Sequence, residues 1–501
     1  MTKKTYTIGL VELPMLGLID ETGINRLNTD MDAPLISKQV LMSNFEGLGF
    51  ETKLFMLNKG DKIEKYGEVH WGDIKFTKVY IGDKISNVDP AACDLWAVTN
   101  NFARLREIAE LVIKHLAGKG KPVIAGGSDI VAVPHYYLAA GANAVVLDKS
   151  GTANGAVLNY LLGESTQDEP AGVMLAGRKY APKKFRPSFD IDKWPLPTQS
   201  AVKQCLGTEY RGFILPKGTL IGSVFPDIGC DRRCDFCQTP RYHIGYRAMS
   251  PKRTLQWFES QKKAGATMVM NASDQFLGRV LKKRGRQDVI DIMEGIQDME
   301  LGVMWFNGFE LKKLTRGLGK TDGKIKDLDP DEEFISAIFD WNGKAGCYLA
   351  YVAGERPLVG QKNYKKLMPW QQHCEILRAI ARTTVAHIHY GIIIGFEDDS
   401  NESLSRLEEA LYELYEDMRR ENSALKFQIA AMTLSPIPST PQAEIIRNSG
   451  LLQFDEPSLY GTVWTPTMNT RYLSYKQIVD WQERFMRIGS GQFMDFGRKV
   501  E

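Results

Sequence analysis

Net charge is almost absent from this sequence. Its 501 residues hold 63 Lys and Arg against 61 Asp and Glu, a net charge of +2. So small an excess argues against a dedicated nucleic-acid binder or a polybasic membrane protein. No unbroken run of about 18 apolar residues occurs, which rules out a spanning helix. Glycine (45) and proline (22) are not in excess, so a mostly disordered chain is excluded too. The opening segment, MTKKTYTIGLVELP, has no unbroken apolar core and no small-residue cleavage site. It reads as a first strand rather than a secretory signal. Cysteine is scarce: Cys93, Cys205, Cys230, Cys234, Cys237, Cys347 and Cys374. An odd number, scattered except for one trio, is no secreted disulfide framework. A reducing cytoplasm is the expected compartment, and the trio suggests a metal.

What is present is length and alternation. At about 150 residues per domain, some three units are expected. Strand patterns at Thr5–Leu13, FETKLFML, Cys93–Thr99, PVIAGG and NAVVLD alternate with helical patterns. Ser37 is the expected N-cap of the first helix, and Leu105, Ile108, Leu111, Val112 and Leu116 mark another. Such alternation predicts an α/β, Rossmann-like doubly wound domain over residues 1–165. Ligands of these sheets sit at carboxyl strand ends, here the loops Pro14–Asp20, Thr99–Asn101, Gly126–Asp129 and Asp148–Gly155. Residues 166–216 read as a linker, proline-rich from Arg178 to Val202. Over 217–445, six strand–helix units predict a partial (β/α)6 barrel. Ser250, Pro251 and Gly265 punctuate its first helix. The charged stretch 311–333 reads as a solvated loop insertion. Residues 446–501 read as a helical C-terminal segment, with Ile478, Trp481, Phe485 and Ile488 on one docked face.

The sharpest motif is GCDRRCDFCQTPRY. Cys230, Cys234 and Cys237 form C-x3-C-x2-C on a short loop after the first strand of the second series. Three thiolates on one loop can hold three corners of an iron–sulfur cube, leaving one iron open to a small-molecule chelator. Zinc wants four ligands, usually in paired spacings; His243 is the one nearby candidate for a fourth. Buried structural cysteines are a further alternative.

The trio, with Phe236 before its last cysteine, resembles the signature of radical S-adenosylmethionine (SAM) enzymes. The resemblance runs from about Lys217 to Gly450. SPIPSTP (Ser435–Pro441) is similar to a barrel-end segment of relatives that carry a cobalamin-binding domain. GIIIGFEDDSNES (Gly391–Ser403) resembles their fifth-strand motif, with Asp398 in its acidic place, and AGER (Ala353–Arg356) resembles the segment after the fourth strand. The resemblance implies a 4Fe–4S cluster on Cys230, Cys234 and Cys237, with SAM on the open iron. It implies SAM contacts at Phe236, Gly391 and Ile393 around the adenine, and at Asn271, Ser273, Glu355 and Arg356. A hydrogen-bond network at the barrel mouth is the alternative for those last four.

Val123–Gly151 resembles the G-G-x-H segment of the cobalamin-binding subfamily. Gly126, Gly127, Pro134, Gly141, Val145 and Val146 match; Asp129 replaces the histidine, and LDKSG replaces the acidic end. Thr99, Gly126, Gly127 and Ser128 are the implied cobalamin contacts, with a degenerate domain as the alternative. Cys93, Cys205, Cys347 and Cys374 are expected to be packing or linker residues. His387 and His389 should share one face of a barrel strand, as acid–base groups or core. Tyr242, His243 and Tyr246 could shape the SAM pocket, and Trp305 faces either substrate or core.

Three functions follow from the resemblance and the residues. One is a cobalamin-dependent C-methyltransferase acting on an unactivated carbon. Another is a radical SAM enzyme doing an oxidation, cyclisation or rearrangement with a vestigial N-terminal domain. The last is a metal-stabilised binding module without catalysis. The chemistry implies a small-molecule, lipid or peptide substrate and a low-potential donor of flavodoxin or ferredoxin type.

Overall fold

The computed structural model describes residues 5–27, 32–164, 170–178, 187–210, 215–318, 327–359, 368–461, 464–489 and 498–499. Much of the stretch 311–333, from 319 to 326, lies outside them.

Six strands make the first sheet. Their spatial order is Val173–Leu175, Ala144–Val146, Val123–Gly126, Leu95–Thr99, Thr7–Glu12 and Glu51–Met56. All pairings are parallel except the one made by Val173–Leu175. Strands buried on both faces explain the near-continuous apolar runs. Trp96 and Val98 join the core on one side, and Leu95 and Ala97 that on the other. The doubly wound expectation therefore holds, with one change. Val173–Leu175 belongs to the sheet, although it falls in the stretch read as linker. The rest of that stretch is not bare either, since Gln199–Gln204 is a helix capped by Thr198. The first helix spans Ile36–Gly47, but its N-cap is Leu35, not Ser37, and no side chain caps it.

A second, antiparallel sheet has no counterpart in the sequence reading. It orders Arg498–Lys499, Ile24–Asn25, Met15–Ile19, Ile74–Gly82 and Lys62–Trp71. Met15–Ile19 was expected to be a ligand loop. It is a strand, with Leu16 and Leu18 buried. Trp71 pairs with Ile74 across a Gly72–Asp73 turn, where Gly72 takes φ +60°. A two-residue loop needs that left-handed backbone.

The second half is an open, all-parallel barrel. Its strands run in chain order: Ile221–Val224, Met268–Asn271, Gly302–Phe309, Gly346–Glu355, His387–Ile394 and Lys426–Thr433. Helices Pro251–Lys263, Gly285–Asp298, Glu332–Phe339, Trp370–Ala381 and Asn401–Glu421 cover it. Ser250 caps the first of these, accepting from the Arg253 N–H, with Pro251 at the first position as expected. Alternation sets the barrel faces. Ile388, Tyr390, Ile392 and Ile394 pack outward into the main core, leaving His387, His389, Gly391 and Ile393 on the inner face. Trp305 packs outward against Phe276 and Phe309, so it is core. Cys93, Cys205, Cys347 and Cys374 are all buried.

The C-terminal segment contains the helix Tyr475–Met486, preceded by turns and a short 3-10 helix at Pro457–Leu459. Ser474 and Gln477 form its capping box. It docks on the sixth barrel strand through Ile478, Trp481 and Phe485, and Gln482 donates to the Ala431 carbonyl at 2.6 Å. Among the described residues no helix is long and apolar enough to cross a membrane.

Candidate functional site

The cysteine loop leaves the first barrel strand through Gly229. That residue sits at φ +79°, and a Cβ there would lie 1.7 Å from the Gly245 carbonyl oxygen. Only glycine fits, so the loop's entry is fixed. Cys230, Cys234 and Cys237 are half-buried and none is in a disulfide. Burial pushes the Cys230 thiol up to about 11. A thiolate there needs a bound cation to hold its charge. Among the described residues, no three Cys, His, Asp or Glu side chains converge as ligands of a single ion. His243 is exposed, in the left-handed region after a short helical turn, so it does not complete a four-ligand zinc site.

Beneath the loop lies a buried charge network. Arg232 Nε donates to both Glu310 carboxylate oxygens, at 3.0 and 3.1 Å. Lys313 reaches Asp231 at 2.6 Å and Glu310 at 3.2 Å. Lys313 is fully buried and Glu310 is 1% exposed. This corrects the reading of a solvated face at the start of 311–333. Its first residues, Leu311–Leu314, form a buried turn whose cation supports the cysteine loop.

The strand-end residues divide into two groups. Phe236 and Ile393 pack against one apolar cluster containing Phe396, Leu434, Ile446 and Met468. Gly391 lies against Tyr351, whose hydroxyl would sit 2.0 Å from a Cβ. Buried Asn271 accepts from the Ser273 N–H at 2.9 Å, while its Nδ2 has no partner among the described residues. The others are committed elsewhere. Ser273 donates to Asp227 at 2.9 Å, beside Tyr246 (2.7 Å) and Arg279 (2.9 Å). Arg356 bridges Asp398 and Asp399 at 2.9 and 2.8 Å, over the Phe396 ring. Asp399 in turn accepts from the Gly395 and Phe396 N–H groups. Arg356 thus buckles the fourth strand's end to the fifth-strand turn. Glu355 is buried beside it at φ +56°. Ser273 and Arg356 are thus members of hydrogen-bond networks at the barrel mouth.

One cavity of about 740 Å³ joins the two halves. It descends between the first helix (Val40, Leu41, Phe45) and the carboxyl end of the first sheet. Thr99, Gly126, Gly127 and Ser128 all line it, as do Phe236, Cys237 and Tyr242 from the barrel side. Gly127 sits at φ +116°, where a Cβ would meet the Asn100 carbonyl at 2.3 Å. The Thr99 hydroxyl accepts from buried Lys38 at 2.5 Å. Asp129, in the histidine's place, does not line the cavity. It is buried, held by Arg106 at 2.7 Å and the Tyr137 hydroxyl at 2.6 Å. Trp194 and Pro195, from the stretch read as linker, form part of the wall. Lys149, visible in the sequence only as part of a departure from the expected motif, lines the cavity too. Inside the barrel, burial pushes His387 down to about 4, which keeps it neutral near pH 7.

No protein-family model matches the chain, and no curated protein sequence does. Solved structures match in fold. TsrM from Kitasatospora setae, a radical SAM methyltransferase with tryptophan and a SAM analogue bound, aligns with a TM-score of 0.61 at 14% identity. That alignment covers 96% of this chain and 89% of TsrM. OxsB, a cobalamin-dependent SAM radical enzyme with aqua-cobalamin and SAM bound, aligns at 0.65 and 15% identity. There 96% of this chain covers 66% of OxsB. The chain therefore has the two-part fold of cobalamin-dependent radical SAM enzymes.

Proposed function

We propose that this chain is a cobalamin-dependent radical SAM enzyme that methylates an unactivated carbon. The supporting observation is the single cavity that puts the Gly126–Gly127 strand end and Cys237 on facing walls. Three half-buried thiols on one rigid loop, not converging on a single ion, suit a 4Fe–4S cluster better than zinc. When bound, the cluster and SAM supply a carbon-centred radical, and the corrinoid supplies a methyl group.

The chain's own residues have separable tasks. Cys230, Cys234 and Cys237 hold the cluster. Phe236 and Ile393 give the adenine an apolar slot beside the Gly391 backbone, where the Tyr351 hydroxyl takes the place of a Cβ, and Asn271 offers it or the methionine end a free amide N–H. Glu355, buried at the end of the fourth strand, is assigned to the SAM end of the same strand set. Ser273 and Arg356 keep this frame in place. Thr99, Gly126, Gly127 and Ser128 floor the corrinoid. The apolar groove along Val40, Leu41 and Phe45 takes its nucleotide tail. No histidine or methionine lines the cavity, so the described residues offer the cobalt no such ligand. A reducing setting and a low-potential electron donor belong to this chemistry.

The test is anaerobic purification with iron and sulfide counted and visible spectra taken with and without hydroxocobalamin. About four irons per chain, lost in Cys230→Ala but kept in Cys347→Ala, and corrinoid bands that survive desalting support the reading. Loss of all corrinoid on desalting overturns the cobalamin half. Product mass then separates methylation from other radical outcomes.

A further inference from the structure

Lys149 follows the last parallel strand of the first sheet and reaches the seam of the cavity. Its ammonium donates to Asn101 Oδ1 at 3.3 Å and Ser128 Oγ at 3.1 Å, and lies 5.0 Å from the centre of the Tyr242 ring. The same Asn101 oxygen accepts from the Ser128 N–H at 3.0 Å and its hydroxyl at 3.3 Å. With the carbonyl so engaged, the Asn101 amide is fixed. Its NH2 has no acceptor among the described residues, and the ammonium keeps one donor to spare. All three side chains line the cavity. No carboxylate forms an ion pair with Lys149 among the described residues. Asp274, the acid that faces it, spends one oxygen on the Gly229 N–H at 2.7 Å, and burial raises its pKa toward the neutral form. Burial lowers that of Lys149. A buried cation with no carboxylate in direct ion pair is costly, and an arriving anion stabilises it.

We propose that the Asn101 amide NH2 and the Lys149 ammonium, held in place by Ser128, form an oxyanion subsite that takes a phosphate or carboxylate of the molecule filling the cavity. The anion has two possible sources. One is the phosphodiester of a corrinoid's nucleotide tail, which rests on the cobalamin reading. The other is an acidic group on the substrate, which does not.

The experiment compares wild type with Lys149→Met and Lys149→Arg. Affinities for hydroxocobalamin and for dicyanocobinamide, which lacks the nucleotide and its phosphate, are measured by equilibrium dialysis. The thermal midpoint is measured in inorganic phosphate and in chloride at equal ionic strength. A preference of about tenfold or more for hydroxocobalamin, erased in Lys149→Met and kept in Lys149→Arg, assigns the subsite to the cofactor. Corrinoids bound without discrimination, with phosphate stabilising wild type but not Lys149→Met, assign it to the substrate's anion. If neither difference depends on Lys149, the subsite is overturned even where corrinoid is retained. If no corrinoid binds at all, the cobalamin reading fails on its own and the phosphate arm still decides. Should Lys149→Met fail to fold, Asn101→Leu goes through the same measurements.

Discussion

Glu310→Gln removes one charge from the network under the cysteine loop and little volume. Glu310 is 1% exposed and Lys313 is fully buried; Arg232 is 10% exposed. The substitution leaves two buried cations sharing Asp231, which is itself 17% exposed. Removing one partner of a buried pair costs about 3–5 kcal/mol. At roughly 2–4 °C per kcal/mol for a unit of this size, the low end alone lowers the thermal midpoint by about 6–12 °C. The assay is scanning calorimetry of anaerobic protein, with iron counted on the same sample. Adding 0.5 M salt leaves the loss in place, because buried charges are poorly screened. The double variant Glu310→Gln/Lys313→Met removes one charge of each sign and leaves Arg232 with Asp231. It regains at least half of the loss, a coupling that independent sites do not show. A midpoint within about 2 °C of wild type for Glu310→Gln, or strict additivity in the double variant, refutes the reasoning.

Gly127→Ala places a Cβ 2.3 Å from the Asn100 carbonyl at a left-handed φ. It costs about 1–3 kcal/mol of stability and abolishes corrinoid retention, read by absorbance after desalting; unchanged retention contradicts the assigned floor. Arg356→Ala leaves Asp399 without its buried cation. The Gly395 and Phe396 amides then exchange with solvent roughly ten- to hundredfold faster, a loss of about 1.5–3 kcal/mol, as hydrogen-exchange mass spectrometry can show. Burial pushes His373 down to about 3 and His387 down to about 4. An unfolded imidazole titrates near ~6.5, so the unfolded chain binds protons that the folded one refuses. Stability is fully present above that value and falls as pH drops from 6.5 toward 4. His373→Gln and His387→Gln each flatten the midpoint-versus-pH curve in that window, and a slope unchanged in both variants rules out these residues as its cause.

The elements legible in the sequence are those whose periodicity and punctuation agree. The five parallel strands of the first sheet, the six barrel strands and the Ser250–Pro251 helix start all follow from local pattern. The antiparallel sheet was missed in part because its edge strand Lys62–Trp71 is half-exposed. No run of apolar residues announces Lys62–Trp71. Met15–Ile19 follows Pro14, and only its pairing with Ile74–Gly82 makes it a strand. Among site residues, the cysteines carry their own spacing. Glu310, Lys313 and Lys149 do not. A buried charge looks like a surface charge until its partner is known, and Lys313 finds Asp231 82 residues away. Ser273 and Arg356 stand at the right strand ends, but a strand end does not reveal which hydrogen bonds a side chain has already spent.

The tip of the Lys62–Gly82 hairpin is held by chain made much later. Trp71 donates its indole N–H to the Pro466 carbonyl at 2.9 Å and packs edge-on against Tyr475 at 5.0 Å. Asp73 pairs with Lys476 at 2.6 Å. On the ribosome, therefore, the first domain emerges with its doubly wound sheet complete but Trp71 uncovered. It waits through synthesis of the whole barrel before residues 464–486 arrive to close over it. An excised N-terminal domain is left in that same unfinished state, its Trp71 indole N–H without the Pro466 acceptor and its ring without Tyr475, and chaperone binding during translation is expected to concentrate on this hairpin.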